Sequence, residues 1–301
     1  MASKKAMSWR CNPQPVPANT APPGGEVVHV DVGAPTLLPD GRWRISVAAD
    51  VDRLLRDDRC VPAANATLVE FGVDWMLHHH GDLHAAERRA FRGPFSPRAV
   101  ERHRGRVTAV VDSVLDRFTE GPTDLLAEYA FPIPMDVVAA LLGLDALDPS
   151  AVHERWDDMM STYGDHDADA RAAAEASTKK LLSLIETAIE GNPDGSLTAD
   201  MVQAGEDARL PREVVAADLL LVLGAGFDTT MALIANTLAE LLGRDDRLAI
   251  VADTRALERF VEEVLRTQPS VQWVGRVAAE DIVIGGTTIP AGARLVLSIA
   301  D

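Results

Sequence analysis

Two short arrangements of reactive side chains stand apart from the rest of the chain. One lies inside the longest apolar run, Leu219 to Leu242, where Gly224-Ala225-Gly226 is followed by Asp228-Thr229-Thr230. Glycine costs about 1 kcal/mol against alanine inside a helix, and a buried carboxylate without a partner costs more. Two readings account for that. Neighbouring helices pack closely on Gly224 and Gly226, with Asp228 satisfied by a polar partner. Alternatively the helix opens at the glycines, leaving room for a ligand or water lined by Asp228 and a threonine hydroxyl. The other arrangement is basic: seven arginines (88, 89, 92, 98, 102, 104 and 106) stand against Glu87 and Glu101. His84 and Arg88 are one helical turn apart, so they project together and can grip a carboxylate or phosphate; the plain alternative is a solvated helix face.

Weaker patterns are also present. Glu263 and Arg266 are three apart on an amphipathic stretch and can pair, as side chains on any surface helix do. His78-His79-His80 with His84 includes the i, i+4 spacing of a helical zinc pair, but no glutamate stands beside His80 to act as a base, so no metal site is expected. Neither a dinucleotide fingerprint nor a P-loop is found in a strand-to-helix setting.

The elements that must hold these residues are mainly helical. The 301 residues are 47% hydrophobic, enough for a sizeable core, and their two cysteines, Cys11 and Cys60, exclude a disulfide scaffold and point to a reducing compartment. A net charge of −17 argues against nucleic acid and anionic lipid as partners. The Leu219–Leu242 run holds Asp228, Asn236 and Glu240 and reads as a core helix, not a bilayer span. Residues 1–30, rich in Pro, Ala and Asn, read as a flexible lead-in. A strand is expected around Trp43–Val47, then a helix capped by Asp50, a mixed loop to about Asp82, and a helix over 83–92. Another helix starts at Ser96-Pro97; prolines 132 and 134 punctuate the next, and an acidic helical stretch covers about 150–190. Alternation around Gly285-Gly286 predicts a small hairpin. The expectation is one domain over 31–301, mainly α with a small β region.

In this order the segments resemble the cytochrome P-450 family, the bacterial soluble haem-thiolate monooxygenases. HGDLHAAERRAFRGPFSPRAVERHR is similar to the region where a His-x-x-x-Arg pair holds haem propionates, and LLLVLGAGFDTT to the Ala/Gly-Gly-x-Asp/Glu-Thr-Thr motif beside the oxygen site. EEVLR has the family's Glu-x-x-Arg, and VGRVAAEDIVIGGTTIPAGARLVLSIAD resembles the strands after it. The resemblance implies a mainly helical fold, a b-type haem, and insertion of one atom of dioxygen into a small organic substrate. His84, Arg88 and Arg276 would bind propionates. Ala225 and Gly226 would let the helix approach the porphyrin, and Asp228 with Thr229 would be the proton-handling acid–alcohol pair. Glu263 and Arg266 would be a buried structural pair. Electrons would come from NAD(P)H through a ferredoxin-type donor docked on the basic face around residues 88–106, in the cytoplasm.

One departure accompanies the resemblance. The sequence stops at Asp301, before the loop that in the family carries the proximal cysteine, and neither Cys11 nor Cys60 matches that position. The expectation is a C-terminally truncated form, inactive by itself, with an exposed apolar face. The rival is a haem-free relative that activates another enzyme such as a glycosyltransferase. Loss of the threonine is expected there, whereas AGFDTT is intact.

Overall fold

A computed structural model describes residues 33–118, 121–144, 148–164, 167–191 and 194–299; the expected lead-in over 1–30 and Cys11 lie outside them. Two short strands, β1 (Thr36–Leu37) and β2 (Trp43–Ile45), precede α1 (Ala48–Leu55). Asp50 is not the cap of α1: Val47 occupies that position with no side-chain bond, and Asp50 lies in the first turn, where its charge suits the helix dipole. The expected loop contains β3 (Cys60–Pro62), α2 (Ala66–Glu70) and a 3₁₀ turn at Met76–His78. Asn65 caps α2 by accepting from the Leu68 N–H.

Next come α3 (Gly81–Phe91) and α4 (Pro97–Leu115). Ser96 Oγ accepts from the Ala99 N–H with Pro97 in the first turn, as the Ser-Pro pair predicts. A π turn at Leu126–Ala130 leads into α5 (Pro132–Leu142). The two prolines open this helix rather than break it, because neither amide is needed in a first turn. The acidic stretch is two helices, α6 (Pro149–Met160) and α7 (Ala168–Gly191), which pack on each other. Then follow α8 (Leu197–Ala208), the 31-residue α9 (Arg212–Leu242), α10 (Arg247–Ala252) and α11 (Thr254–Thr267). The chain finishes in β4 (Trp273–Ala278), β5 (Ile282–Ile284), β6 (Thr287–Ile289) and β7 (Arg294–Ser298).

β5 and β6 form the expected hairpin, with Gly285 and Gly286 at φ +54° and +82° as its turn requires. The other strands make one sheet in the order β1-β2-β7-β4-β3, in which β2 and β7 run parallel across some 250 residues of sequence. Ile45, Leu54, Cys60, Ala278, Leu295 and Leu297 form the core beneath it.

The main core is built around α9. It is long and apolar enough to cross a membrane, but 56% of its apolar window is buried against the rest of the protein. α5, α7 and α8 all pack on it. Leu219, Leu220, Leu223 and Phe227 are fully buried, each stabilising the fold by about 1.5–3 kcal/mol. At the other end of the chain Leu242, Leu248, Val251 and Leu265, on α9, α10 and α11, stand exposed.

Candidate functional site

α9 is helical without interruption, so the opening at its glycines is not formed. A Cβ on Gly224 would lie 1.8 Å from the Trp156 indole of α6, and one on Gly226 would lie 2.9 Å from Val138 Cγ2 of α5. Both glycines are where two other helices come close. Gly226, half-buried, thus has its Cβ direction taken up by helix packing. At 100° per residue, Asp218, Leu221, Val222, Ala225 and Thr229 fall on a different stripe of the helix. Ala225 is exposed in the middle of this helix, between the buried residues Gly224 and Phe227, as is Thr230 further along. Thr229 Oγ1 donates to the Ala225 carbonyl (2.9 Å), and the Thr229 carbonyl also accepts from Ser270 Oγ (2.8 Å). The segment between α11 and β4 is therefore tied onto α9 beside the candidate threonine, a long-range contact that no local pattern announces.

Asp228 turns away from Thr229 toward α6. Burial pushes its carboxyl above the usual range, and the negative charge of Asp157 adds to this while His153 opposes it. No described residue donates a hydrogen bond to it. The acids of α6 lie toward solvent and hold its neighbours: Asp157 lies 3.2 Å from His153 Nδ1, and Asp158 accepts from Ser177 Oγ of α7.

α3 places His84 half-buried and Arg88 exposed one turn later. The basic run divides in two. Arg102 pairs with Asp200 (2.7 Å), Arg104 with Glu101 (2.7 Å), and Arg106 donates to the Ala140 carbonyl. Arg88, Arg89, Arg92 and Arg98 form no ion pair among the described residues. Arg88 and Arg92 line a cavity of about 370 Å³ with Met76, Asp218, Leu221 and Val222, so α3 and the stripe of α9 meet there.

A buried polar cluster that the sequence reading passed over holds this corner together. Glu87 is fully buried beside Arg88, with Oε2 2.7 Å from His79 Nδ1; His79 Nε2 is 3.1 Å from Asp74 Oδ1 but not aligned as a hydrogen bond. The Met76 N–H donates to Asp218 Oδ1 at 2.9 Å. Burial raises the Asp218 carboxyl to about 7, against the Met76 bond that lowers it. The only available signal was an acid inside an apolar run, Asp218 in VVAADLLLVL. The three successive histidines diverge. His78 Nε2 meets the Tyr163 hydroxyl at 2.7 Å and His79 meets Glu87, while His80 precedes α3. No group of three metal-binding side chains occurs among the described residues.

Arg276 is half-buried in β4, opposite Pro62 and Leu295, and donates to the Gly275 carbonyl. It has no carboxylate partner among the described residues, and burial lowers its pKa. Glu263 and Arg266 do pair, at 2.6 and 2.8 Å, but their side chains are 57% and 69% exposed. The expected burial of this pair is not found, because the outer side of α11 is uncovered among the described residues. Cys60 lies in the sheet core, where burial pushes its thiol up to about 11; it stays protonated and is no thiolate ligand.

The model of one protein family, Cytochrome P450, matches residues 243–300. The chain is 31% identical to vitamin D(3) 25-hydroxylase of Pseudonocardia autotrophica, over 87% of this chain and 68% of that protein. It is 30% identical to nocardicin C N-oxygenase of Nocardia uniformis, over 87% and 69%. The chain belongs to the cytochrome P450 family. Its fold agrees: CYP164A2 of Mycobacterium smegmatis superposes with a TM-score of 0.77 at 25% identity, over 89% of this chain and 72% of that one. Membership makes this a P450 of the haem-dependent monooxygenase class, acting on small organic molecules, and does not favour the haem-free partner.

The residues present fit a haem on two counts. Ala225 leaves an open, small-residue surface midway along the core helix, as a flat macrocycle requires. Arg88 and Arg276, with no acid partner among the described residues, are donors of the charge needed for carboxylate side chains.

Proposed function

We propose that this P450 holds haem against the open stripe of α9, with the carboxylates gripped by His84, Arg88 and Arg276, and that Asp228 and Thr229 manage protons there. The observation that carries the reading is Ala225: an exposed small residue midway along the central core helix, one turn before the Thr229 hydroxyl that bonds its carbonyl. When bound, haem supplies the iron chemistry by which dioxygen is cleaved. The protein's part is to bind, orient and deliver protons. Thr229 can release its bond to the Ala225 carbonyl and donate into the open space, and Asp228 holds an exchangeable proton behind it.

The unpaired arginines 88, 89, 92 and 98 support docking of an acidic ferredoxin-type donor that relays electrons from NAD(P)H. We assign the reaction to the cytoplasm, a reducing compartment that suits a chain with two cysteines. Ser270, bonded to Thr229, marks Pro269–Val274 as one of the segments nearest the substrate. We assign the family domain to residues 31–301, preceded by a lead-in over 1–30. With Cys60 protonated in the sheet core, the 301-residue chain by itself is expected to be inactive, since it does not supply the thiolate that pushes electron density onto iron.

Haem titration of the purified chain tests this. Arg88→Ala and Arg276→Ala should each weaken uptake about tenfold, in line with losing one charge-assisted bond. A thiolate-type carbon monoxide spectrum from this chain would refute the inactivity. A colourless protein that raises a transferase's activity would favour the rival role.

A further inference from the structure

We propose that His153 and Asp157 of α6 are the proton entry to Asp228, so that α6 supplies the route by which the acid of the oxygen site is recharged. The inference rests on the assignment of Asp228 and Thr229 as the proton-handling pair. Its geometry comes from two matched faces. α9 presents Gly224, Phe227 and Asp228 at i, i+3 and i+4; α6 presents His153, Trp156 and Asp157 at the same spacing. The Trp156 indole fills the space over Gly224. Phe227 stands edge-on to Trp156 at 5.9 Å and tilted to the His153 ring at 5.7 Å. Asp228 is thereby left facing the remaining two side chains of α6, and His153 and Asp157 are the charged groups that act on it.

Exposure falls from the outer carboxylate to the imidazole, as entry from solvent requires, and Asp228 is half-buried behind them. The Asp157 side chain is 63% exposed and that of His153, 3.2 Å away, is 13% exposed. Phe131 and Phe227 flank the imidazole at 5.3 and 5.7 Å, holding the ring and restricting water around it. The series runs carboxylate, imidazole, carboxylate. In the transfer an imidazolium N–H gives its proton to the Asp228 carboxylate and becomes neutral imidazole. A proton from water at Asp157 then restores it, so charge and protons balance over the cycle. The proton affinities of both inner groups are raised. Burial and Asp157 raise Asp228. Burial lowers His153, but its pairing with Asp157 and the charge of Asp228 outweigh this, and its net shift is upward.

The full chain, labelled with ¹³C at aspartate and histidine, allows both groups to be titrated by NMR with or without haem. His153→Phe keeps an aromatic ring between Phe131 and Phe227 but carries no proton. It should move Asp228 further up, and Asp157→Asn should move His153 down. An Asp228 titration unchanged by His153→Phe overturns the proposal, whether or not the chain takes up haem. In the haem-loaded chain completed with a relative's cysteine-bearing segment, which supplies the thiolate, His153→Phe should slow oxygen-dependent turnover about 100-fold. The lost rate should return as pH falls, and the solvent isotope effect should rise. Wild-type rate and pH profile in that variant overturn the relay even if the titrations are coupled. If Asp228→Asn and Thr229→Ala leave turnover intact, the underlying assignment of the pair fails instead.

Discussion

The two sides of α9 are made from the same few residue types and are used in opposite ways. On the two packed flanks, each about 100° around the axis from Ala225, Gly224 and Gly226 have no side chain because Trp156 and Val138 occupy the space. On the other side Ala225 is small with nothing against it, and Thr229 turns its hydroxyl back onto the helix. A small residue therefore has two meanings in one motif, close protein packing or clearance for something else. Only the neighbours tell which applies.

The largest expected effect tests the closed end of the open stripe, where Asp218 is buried. Its folded pKa, about 7, is above its unfolded value, so the folded state keeps a proton that the unfolded state loses. Stability from this group is therefore complete below about pH 4, falls as pH rises toward 7, and is then lost, by about 4 kcal/mol in all. Asp218→Asn keeps an acceptor for the Met76 N–H and removes that slope. Chemical denaturation of both proteins between pH 4 and 8 should give a shallower decline for the variant than for the wild type. On the packed side Gly224→Ala drives a methyl into the Trp156 indole and should destabilise by about 3 kcal/mol, read from the same denaturation curves.

Ala225→Leu sharpens the contrast. Its side chain enters open space, so stability should change by less than about 0.5 kcal/mol, while haem uptake in a spectroscopic titration should be lost. A large stability loss with haem uptake intact would reverse the assignment of the two sides. The smallest effect is reserved for Glu263→Ala. The pair with Arg266 faces solvent, and the denaturation midpoint should not move measurably.

Much of the fold was legible because its causes are local. Ser96-Pro97 starts α4, Gly285-Gly286 turns the hairpin, and the apolar period over 219–242 marks the core helix. The misreadings have a local cause as well. Asp50 is a good capping residue, but the helix begins two positions earlier, at Ala48. Prolines 132 and 134 look like breaks, yet a first turn tolerates them. The five-stranded sheet was invisible, since β2 and β7 pair across the whole chain and neither strand has more than five residues. The polar cluster of Asp74, His79, Glu87 and Asp218 escaped notice for the same reason: its acids are spread over 145 positions.

By itself the sequence determined which side chains are available at helical spacing: a carboxyl and a hydroxyl within an apolar helix, a histidine one turn from an arginine, and a glutamate three from an arginine. Periodicity is a property of one segment, so it survives without knowledge of the rest. Tertiary structure alone decided what each of them faces. It turned Asp228 toward His153, laid Ser270 on Thr229, left Glu263 and Arg266 in water, and buried Glu87 under His79. Those outcomes depend on burial and charge supplied by residues far away in the chain.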